Sequence, residues 1–160
     1  MEPYPLLFEP ILKPKVWGGR SLEALGKTLP RGSAIGESWE LADLPATIEG
    51  GRSVIRNGAL TGRTLREAID AHATIIMGDV TRTSDGGFPL LVKYLDAREN
   101  LSVQVHPSPA YAAAHPDAHL KSEAWVVIDH EPGAVIYRGL RPGATRDRFA
   151  RHIATGAIVD

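Results

Sequence analysis

Cysteine is absent from this chain, and its absence narrows the chemistry that the chain can carry. Disulfide bridges and thiolate metal ligands are excluded, so any bound zinc must be held by nitrogen and oxygen atoms. Neither sign of charge dominates, because 18 basic and 19 acidic residues give a formal net charge of -1. This balance gives no reason to expect nucleic acid or an anionic membrane as a partner. No apolar run approaches the roughly 20 residues that span a bilayer, and no secretory signal is visible. These absences predict a soluble, cytoplasmic protein.

The pattern of apolar residues predicts a mainly β protein with a few short helices. Glycine, proline and short apolar segments alternate over the first 60 residues, which favours short strands and turns. Start and end signals predict three helices: 65–72 behind a capping box of Thr64 and Glu67, a short helix between Ser108 and Pro116, and a last helix between Thr145 and Gly156. Four apolar runs predict later strands: 88–95, 101–106, 123–128 and 134–137. Short, closely spaced strands favour an antiparallel sandwich or barrel.

Polar side chains recur at every second position of two predicted strands. Alternation places Gln104 and His106 on one face of the first strand, and Lys121, Glu123 and Trp125 on one face of the second. Together these residues offer an amide oxygen, an imidazole, a carboxylate and an ammonium group. That set contains most of a metal site with a cation beside it.

The same residues also have plainer interpretations. A glutamine and a histidine two residues apart can form a polar face turned to water, and Lys121 with Glu123 can form a local salt bridge. The apolar residues around them favour burial, and a buried imidazole or carboxylate needs a partner. The other histidines, at 72, 115, 119, 130 and 152, lie in helix or turn contexts and are interpreted as surface residues.

Two residues outside these strands also carry open alternatives. Lys93 lies in an otherwise apolar run, so it is either an edge-strand charge or a group directed into a polar cavity. Trp17, beside two glycines, is either a core aromatic or a platform for a ligand.

Five segments occur in the order found in type I mannose-6-phosphate isomerases, and the resemblance runs from about Pro5 to the end of the chain. These segments are Lys15-Val16-Trp17-Gly18-Gly19, Gly36-Glu37-Ser38-Trp39, Phe88-Pro89-Leu90-Leu91-Val92-Lys93, Leu101-Ser102-Val103-Gln104-Val105-His106-Pro107 and Lys121-Ser122-Glu123-Ala124-Trp125. The short gap between His106 and Glu123 resembles the compact bacterial form of the family.

The resemblance implies a cupin fold, a jelly-roll barrel that holds one zinc ion per chain and interconverts mannose 6-phosphate and fructose 6-phosphate. By position, Gln104, His106 and Glu123 match zinc ligands of the family, and Lys121 matches an active-site lysine with a catalytic and substrate-binding role. Lys93 and Trp17 match residues beside the substrate. The isomerisation moves a proton between C1 and C2 through an enediol, so a metal and a nearby cation would stabilise the charge that develops on oxygen.

The family has further site residues that this chain does not match. A histidine ligand in a Pro-x-Gly-x-x-His-like segment and a substrate-binding arginine lie on later strands in the family. The resemblance therefore implies that 1–160 is a single N-terminal cupin catalytic domain, truncated before its closing strands.

Two other functions stay open from the sequence. A non-catalytic cupin module could bind a sugar phosphate with little or no metal. The chain could also be a different cupin enzyme, such as a dioxygenase. Such enzymes usually begin their ligand set with histidine where this chain has Gln104, which argues against this alternative.

Overall fold

The architecture is taken from a computed structural model that describes residues 2–115, 117–118 and 120–158. The chain divides into two units, Met1–Leu101 and Ser102–Asp160. Each unit is described by itself below. Among the described residues, no helix combines the length and the apolar character that crossing a bilayer requires.

A three-stranded antiparallel sheet organises the first unit. Its strands are β1 (Ile11–Gly19), β2 (Ile35–Leu41) and β3 (Val92–Leu95), and β2 lies in the middle. Residues 79–87 form the loop between α1 and the segment that leads into β3. The predicted strand 88–95 is wrong in its first half, because only its last four residues pair with β2. Pro89 has no N–H to donate, and the N–H of Phe88 donates to the carboxylate of Asp43 instead of to a strand.

Helix α1 (Leu65–Met77) begins at the predicted capping box. The N–H of Thr64 donates to the carboxylate of Glu67 at 2.8 Å, and the N–H of Glu67 donates to the Thr64 hydroxyl at 3.2 Å. The helix continues five residues beyond the predicted end, with a kink at His72. His72 therefore lies inside the helix and not at its end. The extra turn is stabilised by tertiary packing, because Met77 and Ile76 join a core cluster with Phe88.

The hydrophobic core lies in the first unit and consists of three clusters. Ile35 and Leu22 centre the first cluster, Ile55 and Ala68 the second, and Ile69 with the residues around Met77 the third. All buried residues of the third cluster and Ala68 of the second come from α1, which explains the apolar stripe that predicted this helix.

A buried ion pair joins three segments of this unit. The side chain of Asp43 is fully buried, and its two oxygens accept from the Nε of Arg66 at 3.1 and 2.9 Å. Arg66 also donates to the carboxylate of Asp85 at 3.1 Å. The pKa of Arg66 is raised above its ordinary value, chiefly by its hydrogen bond to Asp43. The pKa of Asp85 is lowered by a hydrogen bond from the Thr83 hydroxyl and by Arg66. This cluster fixes the loop that leads into β3.

The second unit contains two helices, α2 (Pro109–Ala114) and α3 (Arg146–Thr155). Each begins where its cap predicted, because the hydroxyls of Ser108 and Thr145 accept a backbone N–H from the first turn. Gly156 ends α3 in the left-handed conformation. Pro116, predicted to end α2, lies outside the described residues.

The three strands predicted for 101–106, 123–128 and 134–137 are not formed in the part of the chain that the structure describes. A strand is stabilised only when its backbone pairs with a neighbour, and apolar composition alone does not supply one. The sheet that is present has three strands, and the described residues do not form the predicted jelly-roll barrel.

Candidate active site

One contact between predicted site residues joins the two polar motifs of the second unit. The Nε2 atom of His106 lies 3.7 Å from Oε2 of Glu123, across 17 residues of sequence. Their side chains are 31% and 23% exposed, so both groups are partly shielded from water. The Nζ atom of Lys121 lies 3.3 Å from the other oxygen, Oε1, of the same carboxylate. An imidazole and an ammonium group thus flank one carboxylate.

The side chain of Gln104 does not join His106 and Glu123 in the structure. Its side-chain amide donates to the hydroxyl of Ser102 at 3.1 Å, and the residue is exposed. Among the described residues, no three or more histidine, aspartate or glutamate side chains are grouped closely enough to hold a metal ion. The described geometry brings together one imidazole and one carboxylate as metal donors, with the glutamine amide turned to a neighbouring hydroxyl.

The burial predicted for the apolar neighbours of these residues is wrong. Val105 is 77% exposed and Val126 is 87% exposed, and Trp125 is half exposed. No described residue of the second unit is buried. The alternation that predicted burial assumed paired strands, and without a neighbouring sheet both faces of these segments are open to solvent.

Trp17 and Lys93 belong to the first unit. Trp17 is half-buried in β1, where its carbonyl oxygen accepts from the N–H groups of Arg98 and Glu99 at 3.0 and 3.3 Å. Lys93 is partly shielded in β3, and its Nζ lies 3.4 Å from Oε1 of Glu37 on the neighbouring strand β2. Lys93 therefore lies on an edge strand of the sheet, as one of the two predicted alternatives has it, and it is ion-paired with the central strand.

Glu37 and Trp39 are polar and aromatic residues of this sheet whose roles the sequence did not indicate. The indole Nε1 of Trp39 donates to Oε2 of Glu37 at 2.6 Å, so the carboxylate joins Trp39 to Lys93. The ammonium group of Lys13 lies 4.4 Å from the centre of the Trp39 ring. Alternation over Glu37 and Trp39 could have placed both on one strand face, but their partner on β3 follows only from the sheet register.

The other histidines have local contacts. His115 stacks on the ring of Tyr111 with centroids 3.8 Å apart, and His130 bonds to the carbonyl oxygen of Glu131. His152 bonds to the carbonyl oxygen of Ala157 at 2.7 Å and is partly buried. His115 and His130 are exposed, as predicted for surface residues. His119 lies outside the described residues.

Comparison with known proteins identifies similar chains over most of the sequence. Residues 6–136 match the family described as phosphomannose isomerase type I, catalytic domain. A mannose-6-phosphate isomerase of Bacillus subtilis is 39% identical over 153 residues, which cover 95% of this chain and 45% of the relative. A mannose-6-phosphate isomerase of Streptococcus mutans is 35% identical over the same share of both chains.

One solved structure is also similar. The crystal structure of the mannose 6-phosphate isomerase from Bacillus subtilis superimposes with a TM-score of 0.59 at 33% identity, over 72% of this chain and 34% of that one. The chain therefore spans less than half the length of the curated relatives that it matches.

Proposed function

Because the chain belongs to the type I phosphomannose isomerase family, we propose that it carries the first part of the active site of an aldose–ketose isomerase, an enzyme of the cytoplasm. The reaction would interconvert mannose 6-phosphate and fructose 6-phosphate. The observation that carries the proposal is the contact between His106 and Glu123, with Lys121 on the other oxygen of the same carboxylate. These residues come from the two motifs that resemble the family most specifically. The proposal includes a single cupin catalytic domain, and the chain spans less than half the length of the relatives that it matches.

A zinc ion fits the chemistry of the donors that are present. Imidazole nitrogen and carboxylate oxygen are both common zinc ligands, and His106 and Glu123 already face each other with partly shielded side chains. Gln104 would supply its amide oxygen as the third ligand, because its bond to the Ser102 hydroxyl is made by the amide nitrogen. When bound, zinc would supply an electrophile for the oxygen that gains charge during proton transfer.

Lys121 is the proposed catalytic residue of this part of the site. Its ammonium group lies beside the proposed metal-binding carboxylate, where a positive charge would favour the enediolate form of the substrate. In its neutral form the same amine could take a proton from one of the two carbons and return it to the other. The isomerisation is balanced within the sugar, because one proton moves from C2 to C1, the hydroxyl proton of O2 passes to O1, and no further reactant is needed.

Trp17 and Lys93 are the proposed substrate-binding residues of the first unit. A lysine offers a point charge for the phosphate group, and an indole face offers an apolar surface for the sugar ring. The half-buried setting of Trp17 and the ion pair of Lys93 with Glu37 support this role, because both side chains are held in one place before a ligand arrives.

Zinc binding tests the metal part of the proposal in the chain itself. After removal of metal, we expect the chain to take up one zinc ion, and Glu123→Gln to weaken zinc binding by at least about tenfold because it removes a charged ligand. The matched control is Glu131→Gln, an exposed glutamate of the same unit that contacts no predicted ligand in the described residues. If both variants weaken zinc binding equally, the zinc is bound non-specifically and not by Glu123, which would contradict the proposal.

Turnover of mannose 6-phosphate tests the catalytic part, in a protein that carries the complete catalytic domain. Lys121→Met is expected to lower kcat by at least about a hundredfold while the zinc content stays at one per chain. A parallel loss of zinc and activity would give Lys121 a structural role and remove it from the catalytic assignment.

A non-catalytic module that binds a sugar phosphate is the second candidate. It is favoured by one observation, that Gln104 is exposed with its amide nitrogen bonded to Ser102, while His106 and Glu123 are the two metal donors that meet in the described geometry. Two results together would favour this module over the isomerase. The metal-free chain would bind fructose 6-phosphate with the same affinity as the zinc-loaded chain, and the complete domain would show no turnover.

A further inference from the structure

The segment that carries Trp17 is a wide bulge in β1. Pro14 and Gly19 both pair with Ile35 of β2, so the four residues 15–18 leave the strand ladder between them. Val16 is 96% exposed in this bulge, whereas Trp17 is half-buried. Bulges redirect side chains out of the regular alternation of a strand and are frequent beside active sites. The direction of Trp17 is therefore set by whatever holds the bulge in place.

Two glycines let the bulge lie directly against β2. A Cβ atom on Gly36 would lie 2.6 Å from Cζ3 of Trp17 and 2.6 Å from Cβ of Lys15. A Cβ atom on Gly18 would lie 2.5 Å from the backbone nitrogen of Gly36. All three distances are too short for a side chain at either glycine, so the indole ring rests on bare backbone at this point of the sheet.

The segment that follows β3 fastens the bulge from the other side. The N–H of Asp96 donates to the carbonyl oxygen of Gly36 at 2.9 Å, and Ala97 pairs with Gly18. The carbonyl oxygen of Trp17 accepts from the next two N–H groups along this segment, as described above. Backbone hydrogen bonds thus hold Trp17 at its carbonyl.

The side chain of Asp96 holds the residues directly after the bulge. It is buried, at 8% exposure, and its Oδ2 atom accepts from the N–H groups of Ser21 and Leu22 at 2.6 and 3.3 Å. A Cβ atom on Gly19 would lie 2.6 Å from its Oδ1 atom, so the carboxylate also lies against the end of β1. A buried carboxylate with two backbone donors is costly to leave unpaired, and it therefore fixes its partners firmly.

We infer that Asp96 is a positioning residue, which fixes the bulge at residues 15–18 and thereby the direction in which Trp17 meets a sugar phosphate. The second half of this statement rests on the proposed function, because the substrate contact of Trp17 belongs to it. The first half concerns the fold of the first unit alone and is tested without any ligand.

Fluorine NMR of the chain labelled with 5-fluorotryptophan tests the first half. The three resonances, from Trp17, Trp39 and Trp125, are assigned by single replacements with phenylalanine. We expect Asp96→Ala to shift and broaden the Trp17 resonance and to leave the Trp39 resonance on β2 in place. Asp96→Asn keeps an oxygen that can accept the same two N–H groups, so we expect it to restore most of the native Trp17 signal.

Two further variants keep the test decisive. Gly19→Ala displaces the Asp96 carboxylate without removing it and is expected to move the Trp17 resonance in the same way. It replaces Asp96→Ala if that variant does not fold. The control is Glu67→Ala, which removes another carboxylate that accepts a backbone N–H, but at the start of α1. We expect this control to leave the Trp17 resonance unchanged.

Titration with fructose 6-phosphate tests the second half. In the native chain we expect the Trp17 resonance to respond, and in Asp96→Ala we expect about tenfold weaker binding, the size of one lost hydrogen bond to a charged group. A Trp17 signal that moves with Asp96→Ala but ignores the sugar phosphate supports the positioning role and overturns the substrate role of Trp17. A Trp17 signal untouched by both Asp96→Ala and Gly19→Ala, or a Trp39 signal that moves equally, overturns the inference.

Discussion

Removal of the Asp43 carboxylate is expected to lower the stability of the first unit strongly, because it breaks the buried ion pair. Asp43 is fully buried, shares the Nε–H of Arg66 between its two oxygens and accepts the N–H of Phe88 at 2.9 Å. Asp43→Ala would leave the Arg66 guanidinium, whose side chain is 12% exposed, with Asp85 as its remaining carboxylate. It would also leave the Phe88 N–H without its acceptor. We therefore expect the first unit to lose much of its stability.

The expected loss is about 3–5 kcal/mol in the free energy of unfolding, which is typical for breaking a buried ion pair by removing one partner. The orphaned N–H of Phe88 contributes to this range and is not added to it, because neighbouring contacts are not additive. With a urea m value of about 2 kcal/mol/M, a loss of about 4 kcal/mol moves the unfolding midpoint by about 2 M.

Urea unfolding followed by tryptophan fluorescence measures this change. The matched control is Asp70→Ala, which breaks the bridge from Arg82 to α1, at 2.6 Å. Both aspartates bind an arginine of the first unit, but Asp70 is 56% exposed, so its removal should cost at most about 1 kcal/mol. Asp43→Asn, which keeps one acceptor oxygen, should lie between the two.

A result in which Asp43→Ala and Asp70→Ala lower the midpoint equally would refute the reasoning. It would mean that burial of the Asp43 pair adds nothing to its effect on stability. A midpoint shift accompanied by a changed m value would instead indicate a change in the folded or unfolded ensemble. The midpoints of the variants are therefore compared only where their m values equal that of the native chain.

Two further predictions concern the helix cap and the limits of the core. The pKa of Glu67 is lowered because the backbone N–H of Thr64 donates to its carboxylate, followed by the Thr64 hydroxyl. The stability that this interaction contributes is present above about pH 4.3 and is lost as pH falls through the lowered pKa. Glu67→Gln should therefore lower the melting temperature at about pH 7 and hardly change it at about pH 2. A difference in melting temperature between the native chain and Glu67→Gln that stays the same at low pH would contradict this. Ile69→Ala, in the fully buried core, should cost about 2–5 kcal/mol, whereas Val126→Ala, 87% exposed, should stay within about 0.5 kcal/mol in this chain. Equal costs in thermal unfolding would show that Val126 is buried in solution.

Local features of the fold could be predicted because their physics spans only a few residues. The capping box of Thr64 and Glu67 is complete within four residues, and the Ser108 and Thr145 caps each bond to the third residue after them. Gly156 adopts the left-handed conformation at the end of α3 because glycine has no Cβ to oppose it. Helix starts and the last stop were therefore visible without any tertiary contact.

The candidate site was predictable in part, for a related reason. The motifs around His106 and Glu123 indicated both residues and Lys121 as a group, and the structure places these three side chains beside one another. The ion pair of Lys93 with Glu37 could not be predicted, because it depends on which residues of β2 and β3 stand opposite each other. Register is a property of two strands and is absent from the pattern of either one.

By itself, the sequence determined the family of this chain, the starts of its helices and the group of residues proposed for its chemistry. Only the tertiary structure decided which apolar runs became strands, that α1 continues past His72, and that carboxylates at Asp43 and Asp96 hold segments 23 and 75 residues away. The physical reason is that caps and turns are formed within one segment. Strand pairing, burial and buried ion pairs need a second segment, whose position no local pattern records.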